Sequence, residues 1–386
     1  MLRVGIITIQ KSSNYGACLQ CYALYKYIEH LGYKCEIIDL HRPGVKHQSY
    51  HSSKRFRPFR YSFKKVLVDI IKRLFGSNSN IEDKYPRSTI RMDKIRRFNN
   101  QMSYSCSYES PDDLYKNPPI YDLYLSGSDQ IWNPTMRFGL EPYFLTFAPQ
   151  GSIKMSYATS VGLSNLNETE KKAFKLWLED YSSISVREKS AQQLLSSFIN
   201  KEIEQVQDPS FLLTRDEWLK ISIPPKIQKP YILLFTLEFS NNLLRYVEQL
   251  KKESGLEIVY LCWRQPLKPL GSYIVEREAG IEEFLGYIQN ASLVITNSFH
   301  GTVFSIILKA VNFFSYVGGN KRGSRIVDML TLFNLRSHLL NENLTQTYEM
   351  LSKYTINHEE LDFILKDERK RSQDFLKSNI KNYLKE

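Results

Sequence analysis

The chain has 386 residues, of which 42% are hydrophobic and 24% are charged, a composition typical of a soluble globular protein of two domains. No apolar run approaches the roughly 18 to 20 residues of a transmembrane helix, so we expect none. The net charge of +11 favours a phosphorylated or polyanionic partner or an acidic membrane surface, and no zinc-finger, RNP or homeodomain signature indicates a nucleic acid.

The N-terminal half begins with a strand–helix–strand pattern. Residues 3–9 predict a strand, and residues 14–31 predict a helix that ends at Gly32. Residues 35–40 predict a second strand, which is the order of a doubly wound parallel sheet. The first apolar run is too short for a secretory signal, so we expect a cytoplasmic protein.

Residues 42–118 interrupt this alternation with basic, aromatic and irregular sequence, which predicts an insertion in the first domain. Within it, residues 54–75 hold eight Lys or Arg and one acid, and their apolar residues follow helical spacing. One interpretation is a helix that packs on the first domain with a solvated basic face. The other is an element that binds the acceptor or lies peripherally on an anionic membrane.

Alternation resumes after the insertion and continues in a second series of elements. The first half predicts strands over 121–127, 153–160 and 182–188, and helices around 167–180 and 188–198. The second half predicts strands over 231–237, 256–262, 293–296 and 312–317, and helices over 240–253, 280–290, 302–310 and 324–334. Proline-bearing sequence at 208–230 separates the two series. We therefore expect an α/β protein whose two domains face each other across a cleft, with an N-terminal domain over 1–210, a C-terminal domain over 211–357 and a helical tail over 358–386.

The sequence LVITNSFHG, residues 293–301, places a histidine where a predicted strand leads into a helix. Asn297 or Ser298 can cap that helix. The first amides of a helix attract anions, and open α/β sheets bind ligands at the carboxyl ends of their strands. His300 is therefore a candidate site residue. The alternative is a histidine that only hydrogen-bonds a loop carbonyl.

The sequence SSNYGACLQ, residues 12–20, also follows a predicted strand. Asn14 can cap the next helix, and Gly16 lets a ligand approach the backbone. Capping alone explains the asparagine, but Tyr15 beside the glycine favours a loop that faces a ligand.

The sequence SGSDQIWNP, residues 126–134, follows another strand. Asp129 and Gln130 are able to hydrogen-bond sugar hydroxyls, and Trp132 is able to stack on a sugar ring. The alternative is that Trp132 belongs to the core and that Asp129 caps a turn.

The sequence SVREKS, residues 185–190, places Arg187 at the end of a strand. A guanidinium there can hold a carboxylate or a phosphate by two parallel hydrogen bonds. The alternative is a surface salt bridge with a neighbour such as Glu188.

The sequence GGNKRGSRI, residues 318–326, sets Lys321, Arg322 and Arg325 among glycines and a serine. This composition predicts a cationic loop that binds phosphate. A solvated turn is the alternative interpretation.

The five cysteines are scattered, which is weak support for a disulfide framework. Cys18 and Cys21 form a C-x-x-C near a helix start, as redox dithiols do. Cys21 falls on the apolar helix face, however, so we interpret it as a core residue. There is no second C-x-x-C and no convincing group of metal ligands, so we expect no metal.

Taken in order, NYGACLQCYAL, SGSDQIWN, YATSVG, SVREKSA, DPSFLL, SFHG and SRI resemble the polysaccharide pyruvyl transferase family over roughly residues 3–334. The resemblance implies two Rossmann-like domains arranged as in glycosyltransferases of the B type. It implies transfer of pyruvate from phosphoenolpyruvate onto two hydroxyls of a sugar as a cyclic ketal, with no cofactor besides that donor. Family acceptors are often glycans assembled on a lipid diphosphate at the inner face of the membrane.

The resemblance also implies that Arg187 and His300 serve the donor site. Characterised members often read Arg-Leu-His where this chain reads Ser298-Phe299-His300, and Arg325 and Lys321 are the candidates to replace the lost arginine. We assign donor and phosphate binding to Ser298, Gly301, Lys321, Ser324 and Arg325. We assign acceptor binding to Asn14, Tyr15, Gly16, Asp129, Gln130 and Trp132.

The chemistry agrees with these residue types. Phosphoenolpyruvate carries a carboxylate and a phosphate, which need fixed cations and helix-terminus amides. A histidine is able to protonate its methylene carbon or its phosphate as the sugar hydroxyl attacks. Asp129 or Asp208 is a candidate base, although Asp208, before Pro209, alternatively only shapes a turn. Two other classes stay open, a nucleotide-sugar-dependent glycosyltransferase and a non-catalytic sugar- or nucleotide-binding relative.

Overall fold

The computed structural model describes residues 2–41, 88–136, 139–237, 240–262, 273–318 and 323–384. Two parallel β-sheets with connecting helices make up these parts of the chain, so the prediction of an α/β protein with two Rossmann-like domains is confirmed. The predicted basic element at 54–75 lies outside the described residues, as do Lys321 and Arg322. Among the helices described, none is long and apolar enough to cross a bilayer.

The first sheet has seven parallel strands in the order β3-β2-β1-β4-β5-β6-β7. The order reverses between β1 and β4, which is where open sheets of this kind form a crevice. Its central strands are buried apolar runs, as expected for parallel strands covered on both faces. The strands are β1 (Arg3–Ile7), β2 (Lys34–Leu40), β3 (Tyr104–Tyr108), β4 (Leu123–Ser126), β5 (Ile153–Ser156), β6 (Tyr181–Val186) and β7 (Ile203–Gln205).

The helices of this half mostly begin at a side chain that binds the first free amides. Asn14 accepts a hydrogen bond from the backbone of Gly16, and Asn167 forms a capping box with Glu170. The helices are α1 (Tyr15–His30), α2 (Thr89–Asn99), α3 (Pro111–Lys116), α4 (Glu168–Leu178) and α5 (Lys189–Ser196). Short 3-10 helices lie at Glu141–Phe144 and Pro209–Phe211.

The second sheet has five parallel strands in the order β10-β9-β8-β11-β12, with its reversal between β8 and β11. The strands are β8 (Tyr231–Phe235), β9 (Glu257–Leu261), β10 (Tyr273–Glu276), β11 (Leu293–Thr296) and β12 (Phe313–Ser315). The helices around it are α6 (Arg215–Ile221), α7 (Asn241–Ser254), α8 (Ile281–Gln289), α9 (Phe299–Ile307), α10 (Ser324–Leu332) and α11 (Tyr348–Ser352), with a 3-10 helix at Arg336–His338.

The last helix, α12 (His358–Leu384), returns from the second sheet to the first. The Ser372 hydroxyl accepts a hydrogen bond from the backbone of Gln207 at 3.0 Å, and the Tyr383 hydroxyl donates to the carbonyl of Ser182 at 2.6 Å. The tail of the chain therefore packs on the N-terminal domain, and it holds the two halves together.

Residues 88–118 correct the prediction of irregular sequence there, because they form α2, β3 and α3. The strand β3 is an edge strand with the sequence YSCSY, of which only Tyr108 is buried. An edge strand with so few apolar residues gives no apolar run. The strands β7 and β10 were also not predicted. Both are short, and β7 has one buried residue whereas β10 has none.

Candidate functional site

The candidate site lies where the carboxyl ends of the strands of the first sheet face the start of α9 in the second domain. All pairings in both sheets are parallel, so the loops after β4, β6 and β7 emerge at one edge. Across from them, Ser298 caps α9 by accepting a hydrogen bond from the backbone of Gly301 at 3.2 Å. The strand β11 and this cap fix the position of the next side chain, His300.

A charged cluster joins the two domains at this edge. Arg187 Nη1 donates to Asp208 Oδ2 at 2.7 Å, and Arg187 Nε donates to Glu188 Oε1 at 3.1 Å. His300 Nε2 lies 3.4 Å from the same Asp208 Oδ2. This separation is within salt-bridge range, but Nε2 makes no hydrogen bond of good geometry to any of the described residues. Arg187 and His300, 113 positions apart in sequence, therefore share one carboxylate.

The cluster is almost completely shielded from solvent. Asp208 is 0% exposed, Arg187 and Glu188 are each 5% exposed, and His300 is 7% exposed. Burial by itself raises the pKa of the Asp208 carboxyl, but the charges of His300 and Arg187 outweigh burial and hold that pKa well below its usual range. Burial lowers the pKa of Arg187, but Glu188, Asp208 and Asp129 together raise it above its ordinary value. The carboxylate and the guanidinium therefore both remain charged.

Several buried polar atoms at this edge have no hydrogen-bond partner in the described part of the chain. They are Arg187 Nη2, Glu188 Oε2, His300 Nε2 and Ser160 Oγ. Leaving such a group unsatisfied costs about 1 to 3 kcal/mol, so folded proteins seldom keep several of them together. The concentration of such atoms here indicates a site that a polar ligand completes.

The aromatic ring of Phe299 lies near two guanidinium groups. Arg187 Cζ is 4.4 Å from the ring centroid, and Arg325 Cζ is 5.5 Å from it. These distances are within the range of cation–π attraction. Phe299 therefore orients two arginines at the edge where the family arginine is missing.

Gly16 lies against His300 rather than against open space. A Cβ atom at Gly16 would come within 2.2 Å of His300 Nδ1, so only glycine fits at this contact. The prediction that this glycine admits a ligand is corrected, because the neighbour that needs the space is the imidazole. Asn14 accepts a hydrogen bond from the backbone of Gly16 at 3.0 Å, which is the capping role.

Tyr15 does not face a ligand in the structure. It is 3% exposed, and its hydroxyl donates to the carbonyl of Ala279 in the second domain at 2.7 Å. Its ring stacks on Phe284 with centroids 4.7 Å apart. The predicted acceptor role of Tyr15 is therefore corrected, since the side chain joins the two domains.

Trp132 is a core residue, which corrects its assignment to the acceptor site. It is 0% exposed, its ring stacks on Phe144 with centroids 4.6 Å apart, and its Nε1 donates to the carbonyl of Tyr143. Asp129 has the left-handed φ of 71° and is half-buried, and its Oδ1 accepts from the backbone of Gln130. Asp129 lies close to the cluster, whereas the side chain of Gln130 is used locally, since its Oε1 accepts from Asn133 Nδ2 at 2.7 Å.

The remaining predicted donor residues differ in where they lie. A Cβ atom at Gly301 would meet Thr296 Oγ1 at 2.4 Å, so this glycine serves the packing of α9 on β11. Ser324 is exposed at the start of α10, next to the half-buried Arg325. Lys321 lies outside the described residues.

The burial of Glu188 was not predicted from the sequence, where this residue was named only in the alternative of a surface salt bridge with Arg187. Glu188 occupies the N-cap position of α5, but its side chain makes no capping hydrogen bond and instead binds Arg187. A glutamate at a position that favours Ser, Thr, Asp or Asn was the signal available in the sequence.

Within the described part of the chain, no group of three or more His, Cys, Asp or Glu side chains is placed to hold a metal ion. The thiol groups of Cys18 and Cys21 are buried in α1, and the latter is a core residue as predicted.

A family model described as polysaccharide pyruvyl transferase matches residues 14–313 of the chain. Among solved structures, the chain is similar to UDP-GlcNAc 2-epimerase from Methanocaldococcus jannaschii, with a TM-score of 0.52 and 12% identity over 92% of this chain and 94% of that chain. It is also similar to UGT89C1 from Arabidopsis thaliana complexed with quercetin, with a TM-score of 0.50 and 11% identity over 98% of each chain. At these identities the likenesses show the fold alone, which is glycosyltransferase-B-like. No curated protein matches the chain at the threshold applied.

Proposed function

Because this chain belongs to the polysaccharide pyruvyl transferase family, we propose that it transfers pyruvate from phosphoenolpyruvate onto two hydroxyls of a sugar, forming a pyruvyl ketal. The product is part of a surface or capsular glycan. The observation that carries this proposal is the buried cluster of Arg187, Asp208 and His300 across the domain boundary, with Arg187 Nη2 and His300 Nε2 unsatisfied.

The donor requires fixed positive charge for two anionic groups. Arg187 stays charged, and its Nη2 is available to a carboxylate or phosphate oxygen. Arg325, whose guanidinium also lies near the Phe299 ring, is the second cation that we assign to the donor, in place of the missing family arginine. Both guanidiniums are oriented before the substrate binds, so these side chains lose little conformational entropy on binding.

His300 supplies the proton that the donor needs. A sugar hydroxyl attacks the carbon that carries the phosphate, and the methylene carbon takes a proton from the imidazolium to become a methyl group. The second hydroxyl then attacks the same carbon, the bond to the phosphate oxygen breaks, and phosphate leaves with the electron pair. Of the two hydroxyl protons, one replaces the proton that His300 gave and the other leaves with the phosphate.

The charge and sequence of the chain support an acceptor assembled on a lipid diphosphate at the cytoplasmic face of a membrane. The net charge of +11 favours such an anionic surface. Residues 54–75 would contact the diphosphate or the anionic lipids around it. Phosphoenolpyruvate is a substrate here, and the reaction as proposed uses no cofactor and no nucleic acid.

A nucleotide-sugar-dependent glycosyltransferase is the second candidate, because the fold resembles those of a UDP-GlcNAc 2-epimerase and of UGT89C1. This candidate binds a nucleotide diphosphate and transfers a sugar. A non-catalytic relative binds a glycan or a nucleotide and releases nothing.

Phosphate release separates these candidates. The protein is incubated with phosphoenolpyruvate and a panel of methyl glycosides that carry free 4,6-hydroxyl pairs, and phosphate and the ketal methyl group are followed. The proposal predicts phosphate only when donor and glycoside are both present. Cleavage of UDP-sugars without phosphate release from phosphoenolpyruvate would favour the glycosyltransferase.

A further inference from the structure

Glu188 is a buried carboxylate that takes no part in the mechanism above. Its residue is 5% exposed, and Oε1 accepts a hydrogen bond from Arg187 Nε. Its other oxygen, Oε2, is buried and has no partner among the described residues. A buried carboxylate oxygen without a donor is costly, so this oxygen needs an O–H or N–H from a ligand.

Each of the two aspartates considered as bases already accepts a backbone hydrogen bond through its Oδ1. Asp208 Oδ1 accepts from the backbone of Ser210 at 3.0 Å, and Asp208 Oδ2 is shared by Arg187 and His300. Asp129 Oδ1 accepts from the backbone of Gln130 at 2.9 Å. Removing a proton from a sugar requires a carboxylate oxygen that can accept that hydroxyl, and in the cluster this oxygen is Glu188 Oε2.

We propose that Glu188 binds the attacking hydroxyl of the acceptor and takes its proton. This inference rests on the proposed function. One guanidinium then serves both reactants, since Arg187 Nε binds the base and the unpaired Nη2 is available to the anionic donor. Arg187 thereby places the attacking oxygen close to the donor carbon, which is the positioning that a two-substrate reaction requires.

Glu188 and His300 together account for all the proton transfers of the reaction. The first hydroxyl gives its proton to Glu188 as its oxygen bonds to the donor carbon, and His300 protonates the methylene carbon. The protonated Glu188 then gives its proton to the leaving phosphate oxygen as that bond breaks. The second hydroxyl returns a proton to His300, so both residues end in the state in which they began.

Ser160 supports an acceptor at this position. The bridge between Thr159 and Val186 continues β5 and β6, and it places Ser160 beside Arg187 in the register. Its hydroxyl is buried and has no partner in the described chain. It is therefore available to the second sugar hydroxyl, next to the base.

Glu188 shares its surroundings with several charged or titratable groups. Arg187 binds it directly, Asp208 after β7 and His300 on α9 belong to the same cluster, and Asp328 on α10 lies near it. The pKa of Asp328 is raised, first by burial and then by the charge of Glu188, which shows that these two carboxyls lie near each other.

The test compares Glu188→Gln with the wild type in two measurements, phosphoenolpyruvate affinity by calorimetry and phosphate release with the methyl glycosides. Glutamine keeps an oxygen for Arg187 Nε but cannot take a proton. We expect affinity within about threefold of wild type and turnover lower by about 10²- to 10⁴-fold. Glu188→Asp keeps a carboxylate and should retain more turnover than Glu188→Gln. Glu202→Gln, at an exposed position, is the matched control and should behave as wild type.

Three results would overturn the inference. Turnover of Glu188→Gln within a few-fold of wild type removes Glu188 from proton transfer. A loss of donor affinity as large as the loss of turnover makes it a counter-ion of Arg187 only. If the wild type itself binds no phosphoenolpyruvate, the proposed function fails and Glu188 loses this role with it. The last result appears in the wild type, so the two failures are distinguishable.

Discussion

His300 Nε2 lies 3.4 Å from Asp208 Oδ2, so a histidine of the second domain contacts a carboxylate of the first. Asp208 also binds Arg187, and the three side chains form one buried unit across the domain boundary. Relative movement of the domains would therefore separate the acid from the cation that we assign to the same substrate.

Changing His300 to alanine should abolish pyruvyl transfer and leave the fold intact. Asp208 keeps its bond to Arg187 in this variant, so no buried charge is left alone. Loss of a proton donor typically lowers the rate about 10²- to 10⁴-fold. Phosphate release measures the effect, with the exposed His358→Ala as the control. Activity within a few-fold of wild type would remove His300 from the mechanism.

Changing Arg187 to lysine should weaken donor binding severely. Lysine keeps the charge but cannot bind Glu188 and Asp208 from two nitrogens and also present a third to the donor. A lost hydrogen bond to a charged group costs about 1.5 to 3 kcal/mol, which is about ten- to 150-fold in affinity. Calorimetry with phosphoenolpyruvate measures this affinity, and the exposed Arg336→Lys variant is the control. Unchanged affinity would mean that Arg187 is purely structural.

Changing Gly16 to alanine should displace the imidazole of His300. The added Cβ atom would lie 2.2 Å from His300 Nδ1, inside contact distance, and the buried ring has little room to move. We expect a stability loss of about 1 to 3 kcal/mol, together with a selective loss of turnover. The control is Gly286→Ala, which crowds the carbonyl of Ile223 away from the site and should lose stability only. Full activity of the Gly16 variant would show that His300 tolerates displacement.

The protein should become less stable on mild acidification because of the buried His338. Its ring is buried between Phe313 and Phe314, and Nδ1 donates to the carbonyl of Phe313 at 2.8 Å. Burial lowers the pKa of His338 below its ordinary 6.5, although the bond to Phe313 opposes this. Above pH 6.5 the ring is neutral in both the folded and the unfolded states, and its contribution to stability is complete.

As the pH falls below 6.5, the unfolded state binds a proton that the folded state resists, so stability declines until the folded pKa is reached. Denaturant unfolding at pH 7.5 and 5.5 measures this decline. It should be smaller in His338→Gln, which keeps a hydrogen-bond donor without a titrating ring. An equal decline in both proteins would contradict the prediction.

Residues 54–75 should bind anionic lipid surfaces, a prediction made from sequence alone because they lie outside the described residues. Each basic residue near such a surface contributes about 1 kcal/mol, which is lost as salt rises. Flotation with anionic and neutral liposomes at low and high salt compares wild type with a variant in which Lys64, Lys65, Lys72 and Arg73 are glutamine. If the wild type does not bind anionic liposomes even at low salt, the membrane role is excluded.

The sequence alone determined the architecture and two members of the cluster. Buried strands such as β8 and β11 are continuous apolar runs, and most helices begin at a capping side chain, so their positions follow from signals within a few residues. Arg187 and His300 were predictable as site residues because each follows directly on a parallel strand of its own sheet. The carboxyl ends of such strands form the ligand edge in any fold of this kind.

Only the tertiary structure decided what each polar side chain contacts. Trp132 and Tyr15 follow strands just as Arg187 does, yet the first is enclosed by the core and the second binds the other domain. Glu188 and Asp208 became part of the site because their neighbours exclude water, and Asp208 meets His300 across the domain boundary. Burial and long-range partners depend on how the sheets and helices pack together. Local sequence patterns carry no information on that packing, and so they could name candidate residues but could not tell a ligand-binding side chain from a core one.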